Sequence, residues 1–452
     1  MASVKSIHVC SECGQSTPRW VGQCPGCEGW NTMVEEVQAA QVRGSGRSAR
    51  ATGRPANVVA LRDVKATQVA RLATGIGELD RVLGGGIVPG SLVLLGGSPG
   101  IGKSTLTGMV LGNLAGAGAR VLYVSGEESA AQVKLRHERL ETASCHALDV
   151  PALAETDIDV VLGAIEQLKP AVCVIDSIQT LHDAALTGAP GSVGQVREAA
   201  SRLMRAAKQS DTAVILVGHV TKEGSLAGPR VLEHLVDCVL QFEGEQERTY
   251  RTLRASKNRF GSAAETGVFE MSEGGLVEVL DPSARFVGEA TGKPGSVILA
   301  SMEGSRPLLV EVQALVSQSE LVPPRRVCNG IDRNRLALVL AVLSRHAGIG
   351  TGSADVFVNV VGGVRVDEPG ADLAVALAIA SAVRGVSLGA AGRPLCAFGE
   401  VGLTGELRAV AHADRRAAEA SKFGLADIVG PRGTLRDAVR HSLGGSARAD
   451  AA

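Results

Sequence analysis

Residues 96–105 read GGSPGIGKST, and within them Gly97-x4-Gly102-Lys103-Ser104 forms a complete P-loop. No other feature constrains the fold as much. A phosphate cradle needs a strand leading in and a helix leading out, because the loop's N–H groups and the helix N-terminus converge on one anion. The apolar run SLVLLGG precedes the loop, and a helical pattern opens near Lys103. Gly97, Ser98, Pro99, Gly100, Ile101, Gly102, Lys103, Ser104 and Thr105 are therefore the expected site for ATP or ADP. Lys103 is placed to reach the β and γ oxygens, the Ser104 hydroxyl to bind Mg2+, and Thr105 to add a phosphate contact.

The rest of the fold class follows from period and spacing. SLVLLGG, ARVLYVSG, AVCVIDS and TAVILVGH are short, continuous apolar runs, as strands covered on both faces must be. Helical patterns alternate with them, so 58–282 is expected to be an α/β domain around a parallel sheet. Asp176 closes AVCVID and is expected to hold Mg2+ through water. YVSGEES offers Glu127 and Glu128; either can polarise an attacking water or simply face a helix N-terminus, and Glu127 is favoured for the water. His219 closes AVILVGH, either sensing a γ-phosphate or satisfied by backbone.

Two Gly-rich loops, 182–195 and 221–230, are long for connections of this kind, and Lys222 and Arg230 give the second one groups for phosphate contact. SKNRFGS (256–262) sets Lys257 and Arg259 two apart, on one side of an extended segment. Such a fork can grip nucleic-acid phosphates or a γ-phosphate held by a neighbouring subunit; a lone KxR is otherwise a solvated strand end.

Residues 1–37 carry Cys10-x2-Cys13 and Cys24-x2-Cys27, ten residues apart. Each CxxC turns two thiolates toward one metal, and two pairs complete a closed four-cysteine Zn2+ site, structural rather than catalytic. So small a module buries little core, so the metal supplies its folding energy. Trp20 and Trp30, the only tryptophans, either form that core, the favoured reading, or offer one ring to a partner or a base. Residues 38–57, rich in Gly, Ser, Ala and Arg, read as a flexible basic linker. Aromatics make up only 2 % of the chain, so stacking on aromatic platforms cannot be its main binding strategy. The net charge is −1, so attraction to a polyanion must be local. The N-terminus has no apolar signal core, and no apolar run is long enough to span a bilayer, so a cytoplasmic protein without membrane contact is expected.

The order of these motifs resembles the RadA (Sms) family of bacterial DNA repair proteins. The four-cysteine module, TGIGELDRVLGGGIVPGSLVLLGGSPGIGKST, the Asp176 strand, VGHVTKEG…AGPRVLEHLVD and KNRFG follow one another in that family's arrangement, and KNRFG is the most specific of them. The resemblance implies a RecA-like ATPase core and DNA-stimulated ATP hydrolysis. It also implies binding to single-stranded and branched DNA, branch migration together with RecA, and a hexameric ring. Lys103, Glu127 and Asp176 become its catalytic set, Glu127 standing where RecA-like proteins carry their catalytic glutamate. Lys257 and Arg259 become catalytic groups acting across the subunit interface.

Residues 283–452 then resemble the proteolytic α/β domain of Lon protease, whose Ser–Lys dyad is missing. DEPGADLAVALAIASA has Gly370 and Ala371 at the candidate serine positions, and GELRAVAHADRRAAEA contains no Lys. This domain is expected to be a ring-forming scaffold with a DNA-facing surface, with Arg365, Arg384, Arg408, Arg415 and Arg416 as candidate contacts, against the default reading of them as scattered surface arginines. An ATP-dependent Lon-like protease and a RecA-like regulatory ATPase without motor activity are the alternative readings.

Overall fold

The computed structural model describes residues 5–10, 15–26, 28–38, 70–186, 188–219, 231–244, 250–263, 265–389 and 394–446. Cys13, Cys27, most of the linker, Lys222 and Arg230 lie outside the described residues, as does the side chain of His219.

The N-terminal module is a three-stranded antiparallel sheet of β1 (Lys5–Cys10), β2 (Ser16–Thr17) and β3 (Met33–Gln38), with β1 in the middle. Cys10, Cys24 and Met33 form its core, with Val21 packed against them. The tryptophans are not part of that core, which corrects the sequence expectation. Trp20 is 56 % exposed and Trp30 70 %. A core closed around sulfurs has little volume for an indole, and both rings instead flank Gly22, where a Cβ would stand 3.7 Å from each.

The chain divides into two compact units. The first comprises Met1–Phe242, Ala255–Ala263 and Ser272–Leu276. Its sheet contains six mutually parallel strands: β4 (Leu92–Gly97), β5 (Val121–Ser125), β6 (Ala152–Ala154), β7 (Val172–Asp176), β8 (Ala213–His219) and β9 (Cys238–Glu243). They run in the order β9-β4-β8-β7-β5-β6. The helices are α1 (Gly77–Leu83), α2 (Lys103–Gly116), α3 (Ala130–His137), α4 (Ile158–Leu168), α5 (Val193–Ser210) and α6 (Val231–Leu235). Alternate residues of β4 face opposite layers. Leu92 and Leu94 join α4 and α5 through Val161, Ile165, Val196 and Leu203, while Val93 and Leu95 meet α1 and α2 through Leu79, Leu83, Leu106 and Val110. Helices on both faces explain why these strands read as unbroken apolar runs. The expected parallel α/β core is present.

The 182–195 connection is shorter than the sequence suggested, because α5 begins at Val193. The buried Gln195 amide knits it together. It accepts from the Asp183 N–H at 2.7 Å and donates to the carbonyls of Asp183 at 3.1 Å and Gly188 at 2.9 Å.

The second unit comprises Glu243–Arg254, Ala264–Met271 and Val277–Ala452. β10 (Tyr250–Asn258) and β11 (Thr266–Ser272), whose ends at Ala255–Asn258 and Ser272 belong to the first unit, pair antiparallel from Tyr250 opposite Glu270 to Arg254 opposite Thr266; β12 (Gly275–Glu278), which also begins in the first unit, and α7 (Pro282–Gly288) follow. A six-stranded mixed sheet comes next, in the order β15-β16-β14-β13-β17-β20. Its strands are β13 (Ser296–Glu303), β14 (Arg306–Gln318), β15 (Arg326–Asn329), β16 (Ala354–Val360), β17 (Cys396–Ala397) and β20 (Ile428–Val429). A separate pair, β18 (Glu400–Val401) and β19 (Leu407–Arg408), accompanies them. The helices are α8 (Arg333–Val342), α9 (Asp372–Arg384), α10 (Ala413–Lys422) and α11 (Leu435–Ser446). α9 is buried from Asp372 to Ser381, which accounts for its almost wholly apolar sequence.

Arg416 is a second correction. It was a candidate surface contact, yet it is 1 % exposed. Its guanidinium donates to the Ala300 carbonyl at 2.7 Å and makes a bidentate pair with Glu368 at 2.7 and 2.5 Å. A Cβ at Gly370 would lie 3.1 Å from Arg416 Nη1. Arg365, Arg384, Arg408 and Arg415 are exposed.

Candidate functional site

β4 lies between β8 and β9, so its C-terminal end opens at the middle of the sheet edge, where open α/β sheets bind ligands. Gly97 ends the strand; a Cβ there would stand 2.7 Å from the Phe242 carbonyl oxygen, so only glycine fits. Gly100 (φ 74°) and Gly102 (φ 112°) take the left-handed turns that aim the loop's N–H groups inward, and α2 starts directly after Gly102. Ile101, 1 % exposed, anchors the loop beneath. Lys103 is 5 % exposed, and its Nζ donates to the carbonyls of Gly97 at 2.8 Å and Ser98 at 3.0 Å. Burial pushes its amine below the usual lysine range, with Asp176 and Glu127 pulling the other way.

Asp176 ends β7, next to β5 in the sheet. The buried Tyr123 hydroxyl donates to Asp176 Oδ2 at 2.5 Å, and Arg136 of α3 donates to Tyr123 Oη at 2.7 Å. Arg136 also pairs with Glu128 at 3.0 Å. Burial, with Asp176 adding to it, holds the Tyr123 phenol far above its ordinary range, so it remains a donor. The turn after β5 is tied to the end of β7 by the Gly126 N–H, which donates to the Asp176 carbonyl at 2.9 Å. A Cβ at Gly126 would collide with Thr180 Oγ1 at 1.9 Å. Beyond that turn, Glu127 accepts a hydrogen bond from Ser177 Oγ at 2.6 Å.

The two adjacent glutamates therefore have different surroundings. Glu127 acts electrostatically on Lys103 and is held by Ser177; Glu128 is engaged with Arg136. Lys103, Asp176 and Glu127 gather around one loop. Sequence reasoning did not single out Tyr123, Arg136 or Ser177. The only local hints were a phenol inside an apolar strand and a serine directly after the strand-ending acid.

Lys257 and Arg259 stand elsewhere. The Asp237 N–H donates to the carbonyl of Leu92, the first residue of β4, at 2.9 Å, and the Leu92 N–H donates to Asp237 Oδ2 at 3.1 Å. Arg259 pairs with Asp237 Oδ1 at 3.1 Å. Lys257 Nζ donates to the carbonyls of Glu233 at 2.6 Å and Val236 at 2.8 Å, closing the end of α6. Asn258 donates to the Val82 and Leu83 carbonyls at the end of α1, and Arg71 donates to the Phe260 carbonyl at 2.7 Å. The segment is thus tied down at the start of β4, while the P-loop leaves its end. At about 3.3 Å per residue the strand separates the two places by on the order of 16 Å. The expected common cationic fork is divided between two partners.

In the N-terminal module the described halves of the two cysteine turns are built alike. The Cys10 N–H donates to the Gln15 carbonyl and the Cys24 N–H to the Gly29 carbonyl, both at 2.9 Å, and the Gly26 N–H points at Cys24 Sγ at 3.3 Å. Both sulfurs are buried. N–H groups directed at sulfur suit a metal-binding thiolate. Among the described residues, no helix is long and apolar enough to cross a membrane.

Comparison with known proteins agrees with this layout. The AAA domain family matches residues 57–225, and the rubredoxin metal binding domain family matches residues 8–35. The DNA repair protein RadA of Pseudomonas aeruginosa is 52 % identical over 434 residues, 96 % of this chain and 94 % of its own. That of Bacillus subtilis is 48 % identical over 442 residues, with 96 % and 94 % covered. Among solved structures, a KaiC-like protein from Pyrococcus horikoshii OT3 aligns at 21 % identity and a TM-score of 0.40, over 47 % of this chain and 99 % of that one. With a P-loop ATPase core, a metal-binding ribbon and half-identical relatives matched almost end to end, the chain belongs to the DNA repair protein RadA family.

Proposed function

We propose that this chain is a DNA-dependent ATPase of recombinational repair, which binds single-stranded and branched DNA and drives branch migration together with RecA, working as a hexameric ring in the cytoplasm. The observation carrying the reading is the gathering of Lys103, Asp176 and Glu127 around the loop 97–105. The backbone of Gly97–Thr105 and the Lys103 ammonium bind the triphosphate, whose oxygens compete with the two carbonyls that Lys103 contacts. Ser104 and Asp176 would hold Mg2+, which when bound neutralises charge on the β and γ oxygens. Glu127 orients the attacking water and takes its proton, and Glu128, paired with Arg136, is left out of that step.

Lys257 and Arg259, at the far end of β4 from their own P-loop, suit action on nucleotide held by a neighbouring copy. Loops 182–195 and 221–230, the latter with Lys222 and Arg230, are assigned to DNA. Cys10, Cys13, Cys24 and Cys27 hold structural Zn2+. Residues 283–452 are a Lon-protease-like scaffold whose dyad positions lack a nucleophile and a lysine base, with Arg365, Arg384, Arg408 and Arg415 as surface candidates for phosphate contact.

The test is ATP turnover with and without single-stranded DNA at stated salt, because phosphate contacts weaken as salt rises. DNA is expected to raise the rate, and Lys103→Ala to abolish turnover in both conditions. A rate indifferent to DNA would end the motor reading.

A further inference from the structure

We infer that Ser177 is a positioning residue for hydrolysis: its hydroxyl holds the Glu127 carboxylate in the attitude needed to take a proton from water. This rests on the proposed role of Glu127. A serine after a strand-ending acid would ordinarily serve the turn itself. Here that turn is made without the Ser177 hydroxyl: the Ser177 carbonyl accepts from the Thr180 N–H at 3.3 Å and from Thr180 Oγ1 at 2.7 Å, and the Ile178 N–H donates to the Val217 carbonyl at 3.0 Å. The hydroxyl reaches instead across to the neighbouring turn, 2.6 Å from Glu127 Oε1.

The two partners differ in freedom. Ser177 is wholly buried, whereas Glu127 sits on an exposed turn with three side-chain torsions to settle. A short charge-assisted bond from a fixed donor restricts that freedom before the substrate arrives. The hydroxyl has one proton to give, and it goes to Oε1. Orientation matters here because misplacing a reacting group by about 1 Å can cost on the order of 100-fold in rate. The two turns stay joined without the hydroxyl, through the Gly126 N–H and the Asp176 carbonyl, so its removal should leave the fold and the loop 97–105 in place.

The experiment is a double-mutant cycle on the full chain, reading single-turnover ATP hydrolysis together with the affinity for a fluorescent ATP analogue. Ser177→Ala is expected to slow hydrolysis roughly 10- to 100-fold, with nucleotide affinity within about twofold of the parent. In a Glu127→Gln background the same change should cost about nothing more, since Ser177 acts through the carboxylate that is gone. An equal loss in both backgrounds, a parallel loss of nucleotide affinity, or an unchanged rate for Ser177→Ala each overturns the inference. Full turnover by Glu127→Gln alone would instead overturn the role of Glu127 itself.

Discussion

Tyr123 lies two residues before the end of β5 and hydrogen-bonds the acid that ends the neighbouring strand, so a strand side chain supports a loop function. Its ring is fully buried, sits edge-on to His137 at 5.4 Å and lies beneath the Arg136 guanidinium. Packing therefore fixes the ring, while the hydroxyl fixes Asp176. Tyr123→Phe keeps the first and removes the second. A hydrogen bond to a charged group contributes about 1.5–3 kcal/mol, so the variant should fold with a modest loss of stability. Its ATPase activity should require several-fold more Mg2+, because Asp176 loses the partner that orients it. A Mg2+ titration of turnover checks this, and an unshifted midpoint would show that Asp176 orients itself.

At the scale of elements, short helices depend on the groups that close their ends. α6 has only five residues, too few to persist by its own hydrogen bonds, and Lys257 donates to the carbonyls of Glu233 within it and of Val236 just past its end. α3 is closed at its other end by a capping box between Ser129 and Gln132, just past the Glu127 turn. Lys257→Ala should therefore cost about 1–3 kcal/mol of stability through the orphaned carbonyls. Under the proposed mechanism it should also abolish stimulation by DNA while nucleotide still binds. Chemical denaturation and the DNA-dependent ATPase rate separate the two effects; loss of stability with normal stimulation would make Lys257 a cap alone.

At the scale of the molecule, the second unit contains a titration that acts on its stability. Glu303 ends β13 and is 9 % exposed. Burial pushes its carboxyl up to about 7, although the Arg254 guanidinium stands 3.0 Å away and pulls it down, with Glu368, Glu243 and Asp367 adding to the rise. In the unfolded chain the group titrates near the ordinary glutamate value, so between there and pH 7 the folded state keeps a proton that the unfolded state has released. Its contribution to stability is thus complete at low pH and is lost as pH rises through about 7, by a few kcal/mol at most. Glu303→Gln, neutral throughout, should flatten the pH dependence of this unit's unfolding between pH 5 and 8. Identical slopes for parent and variant would refute it.

Spacing and period carried much of this protein in plain view. GxxxxGK[S/T] demands a strand before it and a helix after it, four apolar runs separated by helical patterns demand a covered parallel sheet, and paired CxxC motifs demand tight turns around sulfur. Each is a code written within a few residues, and local backbone geometry is enough to read it. Partner choice is not written that way. Tyr123 finds Asp176 because β5 happens to lie beside β7, and Ser177 finds Glu127 because the turns after those two strands meet. Arg416, which the sequence offers as one more surface cation, finds Glu368 because α10 packs against the sheet that also carries Ala300. Trp20 and Trp30 lie outside because the core of their module closes around Cys10, Cys24 and Met33. A chain specifies its torsions locally, but which side chains meet depends on which distant segments become neighbours, and only the assembled fold settles that.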